Sequence, residues 1–311
     1  MAAVVVEELS KTYVEGQPPA LDGVSFQIAE GELFGLIGPD GAGKTTLIRI
    51  LTSLMLADHG KATVQGLDVV RDFRTLRRMV GYMPGRFSLY QDLSVEENLT
   101  FFATVFGTTV EANYGLIKDI YVQLEPFRKR LAGDLSGGMK QKLALCCALI
   151  HAPNVLFLDE PTTGVDPVSR KDFWNMLGRL RDSGISILVS TPYMDEAARC
   201  DRVALIQSGR FIAMDSLSAM LETYDTETYA VRTAERSRAL RDLRAFKGTR
   251  YCFAFGQEQH LVLHCGAEGA EGIEALEAYM RERGHNEVSI KRIKPNIEDV
   301  YIELTQEISH D

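Results

Sequence analysis

Residues 31–55 read GELFGLIGPDGAGKTTLIRILTSLM. An apolar run, GELFGLIG, meets a glycine-rich turn, and GKTTLIRILTSLM then carries apolar residues at helical spacing. GPDGAGKT (38–45) fits the pattern G-x-x-x-x-G-K-[ST], which average residue usage produces in on the order of one in a hundred chains of this length. Here it also sits between a strand and a helix, the context the pattern requires. Gly38, Gly41 and Gly43 let backbone N–H groups approach an anion, and the helix N-terminus adds partial positive charge. Lys44 can reach the β- and γ-phosphates of a nucleotide, and the Thr45 hydroxyl can ligate Mg²⁺. A bare strand-to-helix turn with a surface lysine is the bland alternative, and the context weighs against it.

The neighbouring segments extend this unit into a layered fold. VLFLDEP (155–161) and ISILVST (185–191) are short, nearly all-apolar runs, as expected of strands buried on both faces. Strands alternating with helices over roughly the first 215 residues imply a mostly parallel sheet between helices. Residues 86–152 differ: SVEENLTFFATVFG and LIKDIYVQLEPF read as helices, and Ser94 with Glu97 has capping-box form. A turn at Ser208-Gly209 and a polar patch near Thr223–Thr228 mark a second boundary. Beyond it TYAVRT, RYCFAF, HLVLHC and EVSIKRI are strand-like. AERSRALRDLRAF, EGIEALEAYMRERG (with Gly284 as a stop) and NIEDVYIELTQ are helical. The order is close to βαββαβ, a small α+β domain. The expected domains are therefore 1–220, with a helical subdomain at about 86–152, and 221–311.

VLFLDEP supplies acidic partners for the phosphate loop. Asp159, at the strand end, would hold Mg²⁺ directly or through water, and Glu160 could polarise an attacking water as general base. LSGGMKQK (135–142) adds a second helix N-terminus suited to an anion, with Ser136 as cap and Gly137 and Gly138 exposing N–H groups. One nucleotide does not need two such ends from one chain, whereas a dimer interface could use both.

The bulk properties narrow the partners. A net charge of −9 argues against nucleic acid, whose phosphates need excess Lys and Arg. The cysteines Cys146, Cys147, Cys200, Cys252 and Cys265 form no CxxC pair or metal-ligand spacing, which suits free thiols in a reducing cytoplasm. No apolar run approaches the roughly 20 residues needed to span a bilayer, and the start, MAAVVVEELS, lacks the basic region of a signal peptide. A membrane role would need a membrane part from another chain.

With these motifs the sequence resembles the ATPase subunit of ABC transporters over nearly its whole length. GPDGAGKT stands as Walker A, LSGGMKQ as the signature and VLFLDEP as Walker B. TTGVDP, with Asp166, stands as the D-loop, and Tyr13 in LSKTYVEG matches the aromatic that stacks on adenine. The closer resemblance is to drug-efflux and daunorubicin-resistance exporter ATPases, through MPGRFSLYQDLSVEENL, DEPTTGVDPVSRKDFW and NIEDVYIELT. GPDGAGKTT and LAGDLSGGMKQKLAL are especially like the first half of tandem multidrug ATPases.

The resemblance implies an α/β P-loop NTPase with a helical insert and an accessory C-terminal domain. Its cofactors would be ATP and Mg²⁺. ATP would be bound by Tyr13, Gly38, Pro39, Asp40, Gly41, Ala42, Gly43, Lys44, Thr45 and Thr46, the metal by Thr45 and Asp159, with Glu160 catalytic. Two subunits would sandwich two ATP molecules, so Ser136, Gly137, Gly138 and Gln141 would act in trans on a second ATPase subunit (homodimer, heterodimer or tandem half). The other partner would be a transmembrane permease docked near 84–99, placing the chain in the cytoplasm, peripheral on the inner face of the membrane.

Two positions depart from the family pattern. Where it has glutamine, as in YMPQ, this chain has Tyr82-Met83-Pro84-Gly85, and Gln91 is not credited as a replacement. Where it has histidine after the strand, VSTPYMDEA has Pro192. Locally, Thr191 is expected to cap a helix with Pro192 at its first position. Neither Gly85 nor Pro192 offers a side-chain donor. Losing one transition-state hydrogen bond of this type costs about 10²–10³ in rate, so the chain's own site is expected to turn over slowly while its signature completes a partner's site. A soluble ATP-dependent regulatory or assembly module with little turnover is the alternative, and co-purification with a permease discriminates the two.

Overall fold

The computed structural model describes residues 1–264, 269–285 and 287–308, so Cys265 lies outside the described residues. Packing divides the chain into two units, Met1–Leu217 and the part from Ser218 onward. The first opens with β1 (Ala2–Lys11), β2 (Leu21–Ala29), β3 (Leu33–Ile37), α1 (Lys44–Leu51), β4 (His59–Val64), β5 (Leu67–Asp68), α2 (Phe73–Met79) and β6 (Val80–Met83). The helices α3 (Val95–Val105), α4 (Tyr114–Tyr121) and α5 (Gly137–Leu149) come next. Alternation then resumes with β7 (Val155–Asp159), α6 (Pro167–Asp182), β8 (Ser186–Thr191), β9 (Arg202–Gln207) and β10 (Arg210–Asp215).

The main sheet has the order β10-β9-β3-β8-β7-β6. All its neighbours are parallel except the edge strand β10. Every residue of β3, β7 and β8 is buried, which accounts for the apolar run in each. Alternate side chains feed two cores. Leu33, Leu156, Leu158, Ile187 and Val189 pack with the helical insert and α6. Phe34, Leu36, Val155, Phe157 and Leu188 pack with α1 and the antiparallel sheet β2-β1-β4-β5. Each such side chain contributes roughly 1.5–3 kcal/mol by leaving water. Because β3 lies between β8 and β9, the loop after it emerges beside the carboxyl ends of its neighbours, where open α/β sheets bind ligands.

The insert begins as its sequence implies. Ser94 Oγ accepts from Glu97 N at 3.2 Å, and Glu97 Oε2 accepts from Ser94 N at 2.8 Å, a complete capping box on α3.

Three local expectations are corrected. Helix α1 stops at Leu51 instead of running to Met55 because Ser53 is left-handed (φ 57°), with Ser53 N bonded to Ile50 O at 3.0 Å and Leu54 N to Arg49 O at 2.8 Å. That is a Schellman stop with serine in the usual place of glycine. Thr191 and Pro192 do not start an α-helix. A 3₁₀ segment runs from Met194 to Arg199 with Tyr193 at its cap, while Thr191 Oγ1 accepts from Tyr193 N at 3.1 Å and donates to buried Glu196. The threonine hydroxyl is thus spent on a tight turn and a buried carboxylate. Ser208-Gly209 marks no unit boundary: with φ of 47° and 80° it closes the β9–β10 hairpin inside the first unit.

After α7 (Leu217–Thr223) come β11 (Thr228–Arg232), α8 (Arg236–Ala245), β12 (Thr249–Phe255), β13 (Glu258–Leu263), α9 (Gly269–Glu282), β14 (Ser289–Ile293) and α10 (Ile297–Ile308). The sheet order β12-β13-β11-β14, all antiparallel, is the split βαβ arrangement. Tyr229, Val231, Leu261, Leu243 and Leu276 fill its core. Gly284 (φ 82°) follows the end of α9, as its glycine suggests.

Candidate functional site

The turn between β3 and α1 is constrained by its glycines. A Cβ on Gly38 would lie 2.2 Å from Ile206 O, and one on Gly43 (φ 110°) 2.3 Å from Ala20 O, so no other residue fits either place. Gly41 is also left-handed (φ 80°) but faces open space. Pro39 and Asp40 are exposed at the turn's tip, while Ala42 and Thr46 are buried and anchor it to the core. Lys44 is only 3% exposed. Its Nζ donates to Gly38 O at 2.8 Å and Pro39 O at 2.9 Å, and lies 3.1 Å from Glu160 Oε1. The ammonium is thereby folded into the loop with each N–H given an acceptor.

The acidic pair sits at the end of β7. Asp159 Oδ1 accepts from Thr45 Oγ1 at 3.1 Å and from Ser190 Oγ at 2.8 Å. The two residues expected to share a metal are therefore already in contact. Glu160 adopts a left-handed backbone (φ 49°), an uncommon conformation for a residue with a Cβ, costing on the order of 1–2 kcal/mol. Its N–H is held by Ser190 Oγ at 3.0 Å and Ser190 O at 3.1 Å. A cation, a hydroxyl and two carboxylates thus converge on a glycine-rich turn at a helix N-terminus. This donor set fits a nucleotide phosphate chain with a hard divalent cation.

Gly85 and Pro192 lie beside this group. A Cβ on Gly85 would be 3.1 Å from Asp159 O and 3.7 Å from Asp159 Oδ2. Thr191, immediately before Pro192, accepts through its carbonyl from Gly38 N at 3.4 Å. Behind Pro192, Glu196 is buried and receives Thr162 Oγ1 at 3.0 Å and Arg170 Nε at 3.1 Å, while the Arg170 guanidinium stacks 4.0 Å from the Tyr193 ring centroid. The turn carrying Pro192 is held firmly from behind.

An open cleft of about 490 Å³ lies over the loop, lined by Tyr13, Ala20, Gly41, Lys44, Thr45 and Glu160 among others. The Tyr13 hydroxyl lies 3.0 Å from Thr46 Oγ1, and the residue is 55% exposed, which leaves it accessible for stacking. Ser136, Gly137, Gly138 and Gln141 are not among the residues lining this cleft. Ser136 caps α5 by accepting from Met139 N at 3.4 Å. Gly138 is packed so closely that a Cβ would sit 2.8 Å from Ser169 Oγ. Asp166 caps α6, accepting from Ser169 N at 3.0 Å and Val168 N at 3.1 Å, and these bonds hold its carboxyl below the ordinary value.

Sequence reasoning missed Ser190, and it missed Pro18, Pro19, Ala20 and Ser208 in the cleft wall. Only a polar residue directly after the apolar run Ile187–Val189 hinted at Ser190. The wall residues depend on tertiary contact and carry no local signal.

A family model described as ABC transporter matches residues 21–163. The chain is 36% identical over 305 residues to the Escherichia coli "Probable multidrug ABC transporter ATP-binding protein YbhF", covering 97% of this chain and 52% of that protein. It thus spans about half the length of that relative. It is 41% identical over 211 residues to the Burkholderia lata "Nod factor export ATP-binding protein I", covering 67% of this chain and 69% of that one. A solved ATP-binding subunit of an ABC transporter is 28% identical with a TM-score of 0.65, covering 71% of this chain and 93% of the other.

Proposed function

The chain belongs to the ATP-binding proteins of ABC transporters, and on that premise we propose that it binds Mg-ATP and drives export through a separate membrane permease. The observation that carries this reading is the convergence of Lys44, Thr45, Asp159 and Glu160 on the glycine turn. Tyr13 would stack on adenine, and the loop from Gly38 to Thr46 would hold the phosphates. Thr45 and Asp159 would hold Mg²⁺, which when bound neutralises phosphate charge. Lys44 would exchange its loop carbonyls and Glu160 for phosphate oxygens, freeing Glu160 to orient water and take its proton.

Ser136, Gly137, Gly138 and Gln141 would act on the site of a second ATPase subunit, with Asp166 at the interface. Their absence from this chain's own cleft supports a role in trans. Residues 1–220 would form the nucleotide-binding domain and 221–311 an accessory domain. Among the described residues no helix is long and apolar enough to cross a membrane, and on this reading the permease would be another chain or another segment. The chain would then sit in the cytoplasm against the inner membrane face. Homologues named for multidrug and Nod factor export support an exporter.

We further propose that the chain's own site turns over slowly, because Gly85 and Pro192 place no side-chain donor beside Asp159 and Gly38. The test is ATP binding and hydrolysis by the full chain, alone and with its permease, beside a family member carrying Gln and His at these positions. Tight binding with slow turnover alone is expected. Turnover equal to that of the complete member would sink the slow-site reading, and no ATP binding would sink the whole.

A further inference from the structure

Ser190 is fully buried in β8, in register with Asp159 of β7 on one side and Leu36 of β3 on the other. It follows the apolar run Ile187, Leu188 and Val189. A buried hydroxyl there needs partners, and both partners belong to the acidic pair. Its Oγ donates to Asp159 Oδ1 at 2.8 Å and accepts from Glu160 N at 3.0 Å. One small side chain therefore touches the two residues proposed to hold the metal and to activate water.

Asp159 Oδ1 takes hydroxyls from both Thr45 and Ser190, which fixes the rotation of the carboxylate and leaves Oδ2 without a donor among the described residues. That second oxygen faces the position of Gly85. Glu160 is left-handed, and its N–H is held twice by Ser190, through the hydroxyl and through the carbonyl. A carboxylate on such a backbone keeps its direction only while neighbouring groups over-determine it.

We propose that Ser190 is a positioning residue of the nucleotide site, setting the orientation of Asp159 and pinning the backbone that aims Glu160. This rests on reading the cleft as a Mg-ATP site. The alternative is a serine that merely satisfies core polar groups, and the two differ in what they do to metal affinity.

The test titrates Mg²⁺ against binding of a fluorescent ATP analogue by the full chain, with a parallel titration in EDTA, for wild type, Ser190→Ala and Ser190→Thr. Ser190→Ala should bind nucleotide in EDTA within about twofold of wild type yet need about tenfold more Mg²⁺ for half-maximal binding, as for other residues that orient metal ligands. Ser190→Thr, which keeps the hydroxyl, should restore the Mg²⁺ midpoint. An unchanged midpoint in folded Ser190→Ala overturns the proposal, as does an equal loss with and without Mg²⁺. Should Ser190→Ala melt below the assay temperature, Ser190→Cys, close in volume but a weak donor, faces the same two outcomes. If wild type shows no Mg²⁺-dependent binding, the reading of the cleft fails and the proposal falls with it. If wild type responds and Ser190→Ala responds with the same Mg²⁺ midpoint, only the role of Ser190 fails.

Discussion

The end of β7 and the ends of its neighbours β6 and β8 are built from opposite kinds of residue. At β7, Asp159 and Glu160 are engaged by Thr45, Ser190 and Lys44, at distances of 2.8 to 3.1 Å. Past the end of β6 stands Gly85, and past the end of β8 stands Pro192, neither with a side-chain donor to offer. On the proposed reading, the groups that bind charge and the base Glu160 are complete at β7, while two side chains that would help orient a reacting water are absent beside it. Affinity and full turnover would then depend on different strands, and substitutions can separate them.

The largest effect should come from refilling the two bare positions. Pro192→His with Gly85→Gln should raise the turnover of the full chain by up to about 10²–10³, the value of one transition-state hydrogen bond of this kind. A Cβ at Gly85 needs Asp159 O to give by a few tenths of an ångström, and Gly85 is not left-handed, so the backbone itself does not forbid the glutamine. Adding Glu160→Gln should erase the gain, because on the proposed reading the restored side chains would serve a water that Glu160 activates. Steady-state ATPase assays decide it. No gain from the double variant means these positions do not limit turnover.

A smaller effect tests the other side. Lys44→Ala should weaken ATP binding by about 10- to 100-fold, since hydrogen bonds to charged groups contribute about 1.5–3 kcal/mol each. Refilling Gly85 and Pro192 should leave that affinity within about threefold of wild type, because side chains that act on the reacting water add to the transition state rather than to the bound ground state. Equilibrium binding by Lys44→Ala, by Pro192→His and by their combination breaks the separation if Pro192→His rescues Lys44→Ala.

Much of this site was legible in the chain. The turn announces itself because glycine spacing and the lysine are local, and β3, β7 and β8 because strands buried on both faces need apolar residues throughout. Ser94 and Glu97 declared α3 through a capping geometry only three residues long. Ser190 was not legible, because its partner Asp159 is 31 residues away and the pairing depends on register. Nor was the turn at Pro192. Thr191, Pro192 and an acidic residue beyond them read as an ordinary helix start, but the buried Glu196 claims the threonine hydroxyl and the chain tightens into a 3₁₀ segment. The left-handed backbones at Ser53 and Glu160 were equally hidden, since glycine, the usual sign of such a conformation, is absent at both.

The second unit offers the gentlest test of how buried charges find partners in this chain. His260 is buried, with Nδ1 2.7 Å from Asp299 Oδ1 and Nε2 3.6 Å from Glu258 Oε1. Burial alone pushes an imidazole down, but the Asp299 and Glu258 carboxylates outweigh it and hold His260 above its ordinary value of 6.5. A histidine raised on folding stabilises the fold fully at pH below its unfolded value, and that contribution fades as pH rises through its folded value. Wild type should therefore lose stability against a His260→Gln variant as pH climbs from below 6.5 into the alkaline range, by on the order of 1 kcal/mol. Hydrogen exchange of β13 and α10 in the full chain at several pH values measures this, with the imidazole titration followed by NMR. Parallel exchange curves for the two proteins across that range would mean that the Asp299 contact is made by a neutral ring, and that the partnering of charge seen at β7 has no counterpart at His260.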